Sequence, residues 1–173
     1  MGDNTEPEIG TSYTYDALDN LTGVTQGTQT RSFVYDNLKR LVKADNPESG
    51  TILYEFDGSG NLTKRTAKTR RSGEPDVVTT LSSYDGLNRL GQKSYSKSNT
   101  PAASYCYDGA TTGCSGATGG GTNVLGKLTY MGSSDSFTEY TGFSGRWQVT
   151  AGRQVTGGVA YPFGYEYNLA DQR

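Results

Sequence analysis

The sequence contains no histidine. That removes serine–histidine–aspartate and cysteine–histidine relays, the histidine-based zinc sites, and any imidazole pH switch. Aliphatic side chains are scarce. Leu, Ile, Val and Phe together number 28 of 173 residues, about 16%, which borders on the composition of disordered chains. Apolar runs stop at two or three residues, so no segment is an apolar helix long enough to cross a membrane. The opening residues Met1 to Glu8 are acidic and lack an apolar stretch, so they do not read as a signal peptide. There is no basic run: 16 basic residues stand against 18 acidic ones, with an isoelectric point near 5.1. Nucleic acid is therefore disfavoured as a partner. Two cysteines alone make a poor metal site, and no set of residues pairs a base with a nucleophile. The expectation is a chain with no catalytic residues, no metal and no cofactor.

What is abundant is tyrosine, at 13 residues, and glycine, at 24. Disorder requires high net charge and few aromatics, and neither holds here. Burial must instead lean on tyrosine, whose ring packs while its hydroxyl finds a partner. The tyrosines also recur in register. Tyr13-Thr-Tyr15-Asp16 is followed by Asp19-Asn20-Leu21-Thr22, and Phe33-Val-Tyr35-Asp36 by Lys39-Arg40-Leu41-Val42. Tyr54-Glu-Phe56-Asp57 leads to Gly60-Asn61-Leu62-Thr63, and Tyr84-Asp85 to Asn88-Arg89-Leu90. Tyr105-Cys-Tyr107-Asp108 is interrupted and resumes at Gly126-Lys127-Leu128-Thr129. A degenerate sixth copy runs Tyr140-Thr-Gly-Phe143-Ser-Gly145-Arg146-Trp147, and a seventh begins Tyr165-Glu-Tyr167-Asn168. The aspartates are 20, 21, 28 and 23 residues apart, the mark of a repeat array with loop insertions.

Each unit has a physical reading. Alternating aromatics share one face of an extended strand. The aspartate accepts hydrogen bonds from amides just ahead and nucleates a turn. Gly or Asn then supplies a positive φ, and Leu, Val or Thr start a returning strand. The unit is a β-hairpin of about 20 residues, which needs neighbours to be stable. The predicted fold is all-β: stacked antiparallel hairpins in one curved sheet, an arc of a β-shell, with no significant helix. Residues 1–12 are expected to be an acidic N-terminal segment, and 13–173 a sheet of about seven hairpins. Insertions are expected near 67–78 and 109–123; the second is nearly all Gly, Thr, Ser and Ala and reads as a flexible loop.

Repeated Tyr-x-Tyr-Asp-x-x-Gly/Asp/Asn-Asn/Arg-Leu at this spacing resembles the RHS/YD-repeat family, from Tyr13 to Arg173. The resemblance implies a long β-sheet curling into a hollow shell. In bacterial RHS proteins the shell encloses a C-terminal toxin, and related shells occur in insecticidal toxin complexes and teneurins. It also implies an exported, extracellular or cell-surface location. Two departures stand out: no Asp-Pro self-cleavage motif is present, and the sequence stops within the seventh turn. A fragment of a longer protein, a truncated gene or an unusual terminus is therefore expected, and the expected partners are flanking repeats or another copy at exposed sheet edges, and an enclosed toxin domain. The alternative is a carbohydrate-binding module.

Candidate residues follow from this frame. Asp16, Asp36, Asp57, Asp85 and Asp108 are assigned to turn capping. Tyr13, Tyr15, Tyr35, Tyr54, Tyr84, Tyr105, Tyr107, Tyr165 and Tyr167 are assigned to packing rows of the sheet, with glycan stacking as the second role. Trp147 is expected to fill a core position where other copies carry Leu, exposure to a sugar being the other reading. Cys106 and Cys114 are either a disulfide closing a short loop or two thiols. Gly116 to Thr122 has the glycines of a phosphate-binding loop but neither its Gly-Lys-Ser/Thr ending nor a following helix.

Overall fold

The computed structural model describes residues 10–133 and 135–168. Among these it contains thirteen β-strands, ordered in the sheet as they are along the chain, and no helix. Neighbouring strands pair antiparallel among the first six and among the last six. The fold class read from the repeats is thus the one observed. Two compact units divide the chain, Met1–Thr79 and Thr80–Arg173.

The first unit carries β1 (Thr11–Tyr15), β2 (Leu21–Gln26), β3 (Gln29–Tyr35), β4 (Leu41–Asn46), β5 (Gly50–Phe56) and β6 (Leu62–Ala67). Strand β1 starts inside the stretch read as an acidic segment; residues 1–9 of that stretch lie outside the described residues. One face is apolar by register: Phe33 pairs with Ala44, Ala44 with Ile52, and Ile52 with Ala67. Ala44 and Ile52 at its centre are buried. The alternate positions Ser32, Asp45 and Thr51 line up on the other face, as the period-two geometry of strands requires. The boundary between the units falls within β7 (Val77–Ser82). Val77 and Val78, placed at the end of the first insertion by sequence, are strand residues.

The second unit carries β8 (Gln92–Tyr95), β9 (Ala103–Tyr107), β10 (Leu128–Gly132), β11 (Ser136–Phe143), β12 (Val149–Thr156) and β13 (Val159–Gly164). Gly157 and Gly158 join the last two strands with φ of 56° and 79°, the paired positive angles of a tight hairpin turn. The buried cluster is Cys106, Cys114, Tyr130, Phe137 and Val155, with Ala117 against it. Tyr130 is 1% exposed and stacks on Phe137 at 4.8 Å between ring centres, a contact worth about 0.5–1.5 kcal/mol beyond its buried area. The end of the seventh turn, residues 169–173, lies outside the described residues.

Candidate functional site

The repeat turn is a side-chain clamp. Asp16 Oδ1 accepts from the amides of Leu18 and Asn20, Asp36 Oδ1 from Leu38 and Arg40, Asp57 Oδ1 from Ser59 and Asn61, and Asp85 Oδ1 from Leu87 and Arg89. Ser144 Oγ does the same for Arg146 and Gln148. The residue before the last of these has a positive φ each time: Asp19, Lys39, Gly60, Asn88 and Trp147. A backbone bond closes the turn, from the amide of Asp16 to the Asn20 carbonyl and likewise in the others, at 2.8–3.1 Å. Asp108 keeps this closure across the long insertion, its amide donating to the Lys127 carbonyl at 3.0 Å and its carboxylate accepting from Gly126.

Behind the clamps of Asp16, Asp36, Asp57, Asp108 and Ser144 the returning strand carries a bulge. Tyr15 pairs with Leu21 but Thr14 with Gly23, so Thr22 is the extra residue. The same slip leaves out Val42, Thr63, Thr129 and Thr150. A bulge leaves ladder groups unpaired, and threonine repairs this from its own side chain. Thr63 Oγ1 donates to the Glu55 carbonyl and Thr129 Oγ1 to the Cys106 carbonyl, both two residues before the turn aspartate.

Hairpins are also tied to one another. Arg40 Nε binds its own Asp36, its Nη1 donates to the Asp57 carbonyl of the next turn, and its guanidinium lies 4.8 Å over the Phe56 ring. Arg89 repeats the arrangement. Nε binds Asp85 at 2.7 Å, Nη2 binds Asp108 at 2.6 Å, and the guanidinium lies 4.4 Å over Tyr107. The Arg89 bond holds the Asp108 carboxyl below its usual range despite some desolvation, and Asp85 is lowered by the Arg89 amide and guanidinium. Lys39 reaches the other way, to the Leu18 carbonyl. Tyr107 Oη donates to the Leu90 carbonyl and Tyr167 Oη to that of Val149, one hairpin back in each case. A cavity of about 310 Å³ lies beside Arg89, lined by Gln92, Ser104 and Tyr105 among others. The charged groups in its wall, Asp85, Arg89 and Asp108, are bound to one another. No group of three or more potential metal ligands occurs among the described residues.

The insertion after Asp108, expected to be flexible, is folded onto the sheet. Cys106 and Cys114 are joined in a disulfide and both are buried. Register places Cys106 opposite Tyr130, Tyr130 opposite Glu139, and Glu139 opposite Arg153, all on one face. Glu139, almost wholly buried, accepts on Oε1 from the amides of Thr118 and Gly119 and the Thr118 hydroxyl, and on Oε2 from Arg153 Nε. Arg153 Nη2 continues to the Gly116 carbonyl, and Tyr130 Oη to that of Ser115. Burial pushes the Glu139 carboxyl up, but Arg153 and the loop amides outweigh it and hold the group below its usual range. The glycine stretch with phosphate-loop features therefore has its anion already: an internal carboxylate.

The predicted aromatics divide. Tyr13 and Tyr15 on β1 are exposed, whereas Tyr35, Tyr54, Tyr105 and Tyr107 on their strands are half-buried. Tyr84 lies just past the end of β7, after Ser83 turns to a positive φ, and Tyr165 and Tyr167 follow β13. Trp147 is not in the core. It occupies the positive-φ position of the sixth turn, φ 72°, and is 73% exposed, with Lys127 Nζ over its ring. The turn's hydrogen bonds fix that backbone angle and turn the side chain outward. Sequence reading missed Tyr130, Phe137, Glu139 and Arg153, which lie where the repeat degenerates. It also missed the bulge threonines, although Leu-Thr recurs at Leu21, Leu62 and Leu128.

No protein-family model matches the sequence, and no curated protein matches it. Solved structures match over nearly the whole chain. A Photorhabdus luminescens Tc holotoxin pore with a TccC3 variant superposes with a TM-score of 0.66 at 11% identity, covering 94% of this chain and 9% of that one. A TcdB2-TccC3-Cdc42 crystal structure gives 0.61 at 12%, covering 93% and 8%, and a TcdB2-TccC3-TEV structure 0.60 at 13%, covering 90% and 8%. The chain thus spans less than a tenth of these structures' length, and the likeness is one of fold. Toxin complexes are among the proteins to which the repeat motif pointed, and the resemblance to RHS/YD repeats is borne out at that level.

Proposed function

We propose that this chain is a non-enzymatic structural segment of an RHS/YD-repeat protein, a stretch of β-shell wall. The observation that carries the reading is the repeated guanidinium bridge, Arg40 to Asp57 and Phe56, Arg89 to Asp108 and Tyr107. At two places along the array it ties the charged group of one hairpin to the next, the kind of nearest-neighbour contact on which a repeat array depends. A bulge at the same place in hairpin after hairpin bends the returning strand each time, which suits a curved wall. The partners are flanking repeats at the outer strands and a toxin domain enclosed by the complete shell, and the protein is exported. Residues 13–173 are the repeat region in this reading.

The test is to express the full reading frame containing these residues and image the product by electron cryo-microscopy. This segment should lie in the wall of a hollow particle, one face toward an enclosed domain. A segment standing free, with solvent on both faces, overturns the reading. A second reading, glycan contact, draws on the exposed ring of Trp147. Trp147 fluorescence that stays flat across a broad glycan panel counts against it.

A further inference from the structure

The insertion after Asp108 is built as a closed excursion rather than as part of its hairpin. The Asp108 clamp shuts the turn without it, and a second bond, from the Gly120 amide to the Gly109 carbonyl at 2.9 Å, shuts its neck. Beyond the neck, Thr122 is anchored separately to β11, donating to the Thr141 carbonyl and accepting from the Phe143 amide. Gly109 and Gly121, at φ 77° and 117°, flank the excursion. At Gly121 a Cβ would meet the Thr141 carbonyl at 2.5 Å, so glycine is required there.

Between those flanks, residues 110–120 cover Tyr130, Phe137 and Glu139, but they have little apolar surface with which to hold themselves down. Their composition is Ala, Thr, Gly, Cys and Ser. Ala117 and Cys114 are the residues that join the core beneath. Hydrogen bonds to Glu139 and Arg153 exchange on opening for bonds to water, so their net hold is modest. Ordering a glycine-rich segment is entropically costly. The covalent tie to Cys106 on β9 is the contact with no substitute in water.

We propose that residues 110–120 form a lid whose closure is set by the redox state of the Cys106–Cys114 bond. A small dithiol supplies the two electrons. Its thiolate attacks one sulfur and displaces the other cysteine as a thiolate. Its second thiol then displaces the first cysteine and leaves the dithiol as a cyclic disulfide, and both cysteines end as protonated thiols. The lid then lifts about its glycine flanks, uncovering Tyr130, Phe137 and the Glu139 carboxylate, while β9 and β10 stay paired through the Asp108 clamp. The inference stands apart from the shell reading.

Hydrogen exchange read by mass spectrometry tests it on the full chain, oxidised and after dithiothreitol, with the thiols counted. In the reduced protein the amides of Thr118, Gly119 and Gly120 should exchange at least about tenfold faster, those of β10 and β11 changing less than about twofold. A double variant, Cys106→Ala with Cys114→Ala, should match the reduced protein without any reductant. Three results overturn the proposal: lid protection unchanged after both thiols are counted, protection lost throughout β9 to β12, or a bond that dithiothreitol cannot reduce without denaturant.

Discussion

Glu139→Gln isolates the charge that pairs with Arg153 across β11 and β12. Glutamine keeps an oxygen for the Thr118 and Gly119 amides, but its NH₂ group then faces the Arg153 donor that Oε2 now accepts from at 2.7 Å. Breaking a fully buried ion pair costs roughly 3–5 kcal/mol. Here the Glu139 side chain is 4% exposed but Arg153 is 26% exposed, so the arginine recovers water and the expected loss is about 2–3 kcal/mol. Urea unfolding followed by far-ultraviolet circular dichroism gives the wild-type minus variant difference at each pH. Because the folded-state pKa of Glu139 is depressed, its contribution is complete above the unfolded glutamate value of about 4.3. It is lost as pH falls from there through the folded value. The difference should therefore be full at pH 7 and shrink in acid, where wild type and variant are both neutral at this position. A neutral-pH difference below about 0.5 kcal/mol, or one that persists unchanged in acid, refutes the argument.

Three further outcomes are expected. Trp147→Asn should be neutral to destabilising by about 1 kcal/mol in urea, because the Trp147 ring covers the buried Lys127 ammonium, a desolvated cation–π contact worth about 2 kcal/mol, against a cost of roughly 1–2 kcal/mol for a bulky residue at positive φ; a clear gain of stability contradicts this. Asp36→Ala strands the Leu38 and Arg40 amides and the Arg40 guanidinium, and should lower the calorimetric melting temperature by roughly 2–5 °C, while Asp36→Asn should lose less. Among the described residues β1 and β13 end the strand order and offer unpaired edges, so light scattering should show mass rising with concentration; a constant monomer mass refutes edge pairing.

The hairpins were legible because their signals are local. Asp16 and Leu18, or Asp36 and Arg40, lie within four residues, and each letter of the turn has its own stereochemical reason. The loop and its anchor were not, because they depend on register. Glu139 and Arg153 are ordinary surface letters until β10, β11 and β12 set them opposite Tyr130 on one face. The Gly-, Thr- and Ser-rich composition of 109–123 describes what the chain can do when free, not when a disulfide and a buried carboxylate hold it. Trp147 was misplaced because the sixth copy was aligned on hydrophobicity. Aligned instead on backbone angle, it falls with Asp19, Lys39, Gly60 and Asn88, positions where side-chain identity is nearly free.

The Asp108 clamp closes over a long excursion with the same amide-to-carbonyl bond that closes a five-residue turn. A one-residue slip would swap the faces of every following strand, yet whatever is spliced between those two groups leaves the downstream pairing untouched. Each turn of this kind is accordingly an insertion port. The array can gain a segment there by recombination, or be given one by design, with the reading frame of the sheet preserved on both sides.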